Sequence, residues 1–281
     1  MSERTTTRRR QLGSMMRKLR ARKGLTLEEA GYLVGVSKAT VSRYETQAGP
    51  VKWIVIDALC REYGTTDAER RAAVGLAKDA KQQGWWNSFA DIVPESMNLL
   101  LTLEDEAVGE NHFSCVYVPG LLQTRAYSTA LQKANEVPLA DDEIERLVDI
   151  RMRRQEILTR RKPLRLWAIL DESVIRRVVG SPRTMREQLD RLLEANESPH
   201  VTLQILPFSK GAHAAALGSF VLIGGTEPTL DVVYVDFHTG SLFLEKDEEL
   251  DRYRLAFEYL RAQALDTETS SAMIQGARKE L

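Results

Sequence analysis

The sequence predicts an α+β protein in two parts. Residues 1–82 read as an all-helical N-terminal helix-turn-helix domain with a connector helix. Residues 83–281 read as a larger α+β domain with a mixed sheet of four or five strands. Three observations lead there. Apolar residues recur at three- and four-residue spacing through the first eighty positions. Between residues 164 and 244 the pattern changes to short apolar runs broken by Gly and Pro. Charge also divides between the parts: residues 1–63 carry 13 Lys and Arg against 6 Asp and Glu, a net of +7, and residues 64–281 carry 26 against 34, a net of −8. A basic head on an acidic body predicts a polyanion partner for the head alone.

Composition narrows the class. At 43% hydrophobic and 28% charged residues, the 281-residue chain is too apolar for a disordered protein. No run reaches the ~18 apolar residues of a membrane span. The start, Met-Ser-Glu-Arg-Thr-Thr-Thr-Arg-Arg-Arg, has no apolar segment behind its charges, so no secretory signal and no membrane role are expected, and a cytoplasmic, nucleoid-associated location is. Cys60 and Cys115 lack CxxC spacing and read as free thiols in a reducing compartment. No Cys/His pairs suggest a metal, and no cofactor is expected.

Along the chain, residues 1–8 read as a polar, basic arm. Leu12, Met15, Met16 and Leu19 mark the first helix, ended by Lys23-Gly24. Thr26 followed by Leu27-Glu28-Glu29 is a capping-box pattern opening a second helix that stops at Gly35. Ser37 caps a third that ends near Gln47, and Ala48-Gly49-Pro50 is a turn. Trp53, Ile54, Ile56, Leu59 and Cys60 share a face of a fourth helix, and Thr66-Asp67 starts a fifth that runs to Gln83-Gly84. Trp85-Trp86 is either a partner patch or a core staple. Residues 95–107, 121–134, 141–161, 172–179, 184–195, 247–264 and 268–279 read as helices. Residues 164–170, 201–206, 219–223, 231–236 and 242–244 read as strands.

Residues 26–47 carry the most specific signal: a helix, a Gly-containing turn and a second capped helix. Gly31 is a small residue suited to close helix approach, and Gly35 supplies backbone freedom at the turn. The second helix presents Lys38, Ala39, Thr40, Ser42 and Arg43, short or cationic side chains able to reach base edges in a major groove. Ser37 at the helix start suits a phosphate. Arg9, Arg10 and Lys52, with the run Arg17-Lys18, Arg20 and Arg22-Lys23, add candidate backbone contacts.

Over residues 12–64 this stretch resembles phage-repressor-like (XRE-type) regulators, through Leu19-Arg20, Gly24-Leu25-Thr26, Gly35-Val36-Ser37 and Thr40-Val41-Ser42-Arg43-Tyr44-Glu45. The resemblance implies a structural ion pair between Arg20 and Glu45, base contacts from Lys38, Ala39 and Arg43, and backbone contacts from Thr40 and Ser42. One position departs: where that family has a phosphate-binding Gln after Thr26, this chain has Leu27, so the anchor is lost or passes to Thr26.

In the second part, the segments 117–127 (Tyr-Val-Pro-Gly-Leu-Leu-Gln-Thr-Arg-Ala-Tyr), 151–155 (Arg-Met-Arg-Arg-Gln) and 166–172 (Leu-Trp-Ala-Ile-Leu-Asp-Glu) are distinctive, as are 200–206 and Gly218-Ser219-Phe220. They resemble the C-terminal domain of an actinobacterial regulator family that includes WhiJ. That resemblance implies a small BldB-like partner protein, a link to development, and a likeness to toxin–antitoxin pairs. No catalysis is expected. His213 is followed two residues later by Ala215 where a phosphodiesterase motif needs Lys, and Asp171-Glu172 reads as a helix cap. GxSxG, HExxH and GxxxxGK[ST] are missing from the sequence.

The expected function is a sequence-specific DNA-binding transcriptional regulator, acting as a repressor, whose C-terminal domain oligomerises and binds the small partner. The alternative is an antitoxin-like protein that mainly sequesters that partner and autoregulates its own promoter. Because one helix-turn-helix reads few base pairs, a homodimer or higher even-numbered oligomer on inverted half-sites of double-stranded DNA is expected. Its contacts should lie in residues 65–110 or after Asp247.

Overall fold

The computed structural model describes residues 7–46, 51–79, 85–89, 91–224 and 231–281. The chain forms two compact units, Met1–Asn87 and Ser88–Leu281.

The first unit is helical: α1 (Thr7–Lys23), α2 (Leu27–Leu33), α3 (Lys38–Thr46), α4 (Trp53–Glu62) and α5 (Asp67–Asp79). α1 packs on α3 and α5, and α4 packs on α5. Leu12, Met15, Met16 and Leu19 of α1 are buried, as are Val41, Ile56, Leu59, Cys60 and Ala73. The reason for α2 and α5 is the same local device. Thr26 and Thr66 each accept the N–H of a Glu three residues on, at 3.2 Å. Each Glu carboxylate takes the Thr N–H back at 2.8 Å. Both are reciprocal capping boxes that satisfy two orphan helix-start donors. Of the basic arm expected over residues 1–8, residues 1–6 lie outside the described residues, and the last two already belong to α1. The expected turn at Ala48-Gly49-Pro50 and the far end of the fifth helix also lie outside them.

The second unit is a mixed sheet with helices. Its elements are α6 (Glu95–Glu106), β1 (Gly109–Ser114), α7 (Arg125–Lys133), α8 (Asp141–Arg154), β2 (Arg165–Asp171), α9 (Glu172–Arg176), α10 (Pro182–Asn196) and β3 (Val201–Leu206). Then come β4 (Phe220–Gly224), β5 (Val232–Phe237), β6 (Gly240–Leu244), α11 (Asp247–Gln263) and α12 (Thr267–Lys279). The class is α+β, with six strands among the described residues, in the order β3-β2-β1-β4-β5-β6. β1, β2 and β3 pair in parallel; β4 runs antiparallel to β1, and β5 and β6 continue antiparallel.

Side-chain alternation along the strands builds two cores. Leu166, Ala168 and Leu170 of β2 turn to one face, where they meet Leu189 and Leu192 of α10 and Ile274 of α12. Trp167 and Ile169 turn to the other, against Leu250, Phe257 and Leu260 of α11. The β3 edge is covered: Ile205 N–H donates to Ser270 Oγ at 2.9 Å, Leu203 N–H donates to Asn196 Oδ1 at 3.0 Å, and the Ile205 carbonyl accepts from Leu265 N–H at 2.9 Å. A covered edge offers no template for pairing with another chain.

Four expectations about this unit change. The strand count rises to six because β1 was not expected. The single helix over residues 121–134 is a 3-10 turn at Gly120–Leu122 followed by α7, restarted by the Thr124 cap on Tyr127 N–H. The long helix over 141–161 ends at Arg154 and continues as a 3-10 segment, Gln155–Leu158. The helix expected from residue 184 begins at Pro182, capped by Ser181.

Candidate nucleic-acid interface

Gly31 sets the geometry of the α2–α3 pair. A Cβ there would stand 2.6 Å from the Val36 carbonyl oxygen, a backbone atom that has no room to retreat. The Val36 N–H instead donates to the Gly31 carbonyl at 2.9 Å, closing the turn. Gly35 takes φ 69°, in the left-handed region that favours glycine.

The back of α3 is fixed by Val41, Tyr44 and Glu45, all buried. Arg20 of α1 grips Glu45 in bidentate fashion, Nε to Oε1 at 2.6 Å and Nη2 to Oε2 at 2.8 Å. Its Nη1 also donates to the Leu25 carbonyl at 2.7 Å, so one guanidinium ties the α1–α2 turn to α3. The hydrogen bond to Glu45 raises the Arg20 pKa further, against the cost of burial. Arg17 adds a contact to the Glu45 carbonyl at 3.3 Å.

The front of α3 faces solvent. Ser37, Lys38, Ala39 and Arg43 are exposed, and Thr40 and Ser42 are half-buried. Ser37 Oγ accepts the Thr40 N–H at 3.2 Å, capping the helix, and lies 3.0 Å from Thr40 Oγ1. Arg43 Nη2 donates to the same Thr40 oxygen at 3.2 Å, so the hydroxyls of Ser37 and Thr40 and the Arg43 guanidinium form a chain along one helix face. Lys52 is exposed at the N-cap of α4, with no side-chain cap bond. Arg9 and Arg10 lie in the first turns of α1.

The Thr26 hydroxyl is engaged at the start of α2: it accepts from Glu29 N–H and donates to Glu29 Oε2 at 2.8 Å. The basic run of α1 is also partly spent, since Arg20 holds Glu45 and Arg22 holds Glu69 at 2.6 and 3.0 Å. Sequence reasoning missed Tyr32, which is 86% exposed at the end of α2, beside the turn. The available signal was its place opposite the buried Ala30 and Gly31 on a seven-residue helix.

Residues 11–73 match the family described as a helix-turn-helix domain. Residues 97–276, well over half of the chain, match the domain of unknown function DUF5753. The chain belongs to the DUF5753 family. No curated protein and no solved structure matches it significantly. In this DUF5753 protein the recognised helix-turn-helix segment spans all of α2 and α3.

The rest of the chain contains several polar groups with local structural partners. Asp171 caps α9 through Ser173 N–H at 2.9 Å. Glu172 accepts from Phe208 N–H at 2.9 Å and pairs with Arg176. His213 Nδ1 accepts Ala215 N–H at 3.2 Å, and its ring stands edge to Phe113 at 5.3 Å. Cys60 is buried, and burial pushes its thiol up to about 12. Trp86 is buried, with Trp85 edge-on at 5.6 Å. Among the described residues no group of three or more His, Cys, Asp and Glu side chains could hold a metal, and no helix is long and apolar enough to cross a membrane.

Proposed function

We propose that the protein is a sequence-specific DNA-binding transcriptional repressor that reads double-stranded DNA with α3 and works as a homodimer on inverted half-sites. The observation that carries this reading is the division of α3. Its back is locked by Val41, Tyr44 and the Arg20–Glu45 pair, and its front presents Lys38, Ala39 and Arg43 to solvent. A rigid back and a polar, cationic front are what major-groove readout requires. The start of α3, with Ser37 and free helix N–H groups, offers a seat for a backbone phosphate, and Lys52 and Tyr32 offer flanking contacts. Repression follows from occupancy of a promoter.

The second unit acts in this reading as a regulatory and oligomerising domain without a reaction of its own. The local bonding of Asp171, Glu172 and His213 supports that assignment. A small BldB-like partner protein as the modulator, in a cytoplasmic, nucleoid-associated setting, rests on the resemblance of segments 117–127, 151–155 and 166–172 to WhiJ-like regulators. The test is selection of bound duplexes from a random DNA library by the full-length chain. The expected result is enrichment of one motif in two inverted copies, one helical turn or a multiple apart. A pool with no enriched motif after repeated selection contradicts the reading.

A further inference from the structure

The second unit buries a polar arrangement that its fold does not require. β1 is the third strand of six, and the register sets Glu110, His112 and Ser114 beside Leu166, Ala168 and Leu170, on the face that carries the larger apolar core. Glu104 of α6 and Arg154 of α8 are almost fully buried nearby. Buried polar groups are costly unless answered. Arg154 is answered, because its Nε and Nη2 both donate to Glu104. Glu110 is answered in part: Oε1 lies 3.1 Å from His112 Nδ1, while Oε2 has no partner.

Arg151 is different. Its Nη1 donates to a neutral acceptor, Gln123 Oε1, at 3.0 Å, and its buried Nε has no partner. No carboxylate forms an ion pair with it among the described residues. Burial, and then the charge of Arg154, lowers its pKa to about 10. Glu104 and Asp236 act on it only from beyond ion-pair distance, so Nε remains an unanswered donor in a half-buried site, and a planar guanidinium with an unanswered donor suits an anion.

A cleft of about 640 Å³ opens at this point, bordered by Arg151, Arg154 and His112, with Leu100, Leu131 and Tyr234 among its walls. That volume is typical of small-molecule sites, about 300–1,000 Å³. Gly120 lies against both guanidinium groups: a Cβ there would come within 3.2 Å of Arg154 Nη1 and 3.5 Å of Arg151 Nη1. The Gly120 loop is held rigid. Gln155 Nε2 donates to the Gly120 and Gln123 carbonyls at 2.9 and 2.7 Å, Gln123 Nε2 to the Val118 carbonyl at 2.7 Å, and Gln188 Nε2 to the Leu122 carbonyl at 2.8 Å. Two of the distinctive sequence segments, 117–127 and 151–155, thus build one wall of one cleft.

We propose that this cleft binds a small organic anion, whose carboxylate or phosphate is taken by Arg151 and whose apolar body lies on Leu100 and Leu131. The proposal stands independently of DNA binding. It is tested on the full-length chain by calorimetric titration with phenylacetate, phenyl phosphate and the neutral phenylacetamide. Saturable binding of at least one anion is expected, with the amide at least tenfold weaker. The better of the two anions tells a carboxylate site from a phosphate site. Arg151→Met should abolish binding. Arg151→Lys keeps a positive charge without the planar fork, so it should weaken binding at least tenfold at near-unchanged melting temperature, and it decides the question if the Met variant does not fold. The proposal is overturned if neither anion binds up to about 10 mM, if the amide binds as well, or if Arg151→Lys binds like the wild type.

Discussion

Glu45 is 3% exposed, and it receives two hydrogen bonds from Arg20. Removing its carboxylate strands a guanidinium that is itself only 16% exposed. Breaking a buried pair this way costs about 3–5 kcal/mol, against under about 1 kcal/mol for an exposed one. The burial of Glu45 places this pair toward the first case. Glu45→Ala is therefore expected to lower stability by about 3 kcal/mol, read by denaturant titration, and to loosen α3 from α1 and from Leu25 together. An unchanged unfolding midpoint contradicts that role. At this scale the helix-turn-helix was legible because its residues act locally. Gly31, Gly35 and Ser37 serve a backbone turn and a cap, which sequence spacing encodes directly. Whether the phosphate anchor is lost or passes to Thr26 was not legible, because spacing alone does not say where a hydroxyl spends its bonds.

At the scale of elements, the start of α5 carries a pH-sensitive device. Glu69 accepts from Arg22 first and from Thr66 N–H second, and these hold its carboxyl down to about 2, from an ordinary value of 4.5, against partial desolvation. A carboxyl lowered in the folded state contributes stability that is complete above its unfolded value and lost as the pH falls toward the folded one. Denaturant midpoints should therefore fall between about pH 5 and about pH 2, and Glu69→Gln should flatten that slope. Identical pH profiles for the two proteins contradict the assignment. Elements also show where sequence reading stopped. β2, β3, β4 and β5 announce themselves by apolar runs. β1 does not, because its residues at 110, 112 and 114 are Glu, His and Ser, yet they face the core side of the sheet. A strand with a polar inner row lacks the pattern that marks strands, and such violations gather at functional sites. The break between the Gly120–Leu122 turn and α7 was missed for a related reason. The loop is held by side chains of Gln155 and Gln188, 35 and 66 residues away from the carbonyls they bind. The same long-range bonding hid the cleft beside Arg151.

For the whole molecule, the proposed reading expects two copies, because one α3 helix would read too few base pairs to stand out among ~10⁶–10⁹ competing sites. α11 offers a contact surface: Leu255 and Tyr259, four residues apart on one helix face, are 57% and 56% exposed. Light scattering at micromolar concentration should report a dimer, and the double change Leu255→Glu with Tyr259→Glu should shift it to a monomer. A wild-type monomer whose footprint spans one half-site contradicts this. The central claim is that the front of α3 reads sequence, and Arg43 is its most direct witness. The decisive measurement is the ratio of affinities of the full-length chain for its selected duplex and for a scrambled duplex, at one fixed salt concentration, with and without Arg43→Ala. The account predicts that this substitution lowers the ratio by about 1–3 kcal/mol while binding to the scrambled duplex changes far less. An unchanged ratio would remove Arg43 from the readout and contradict the account.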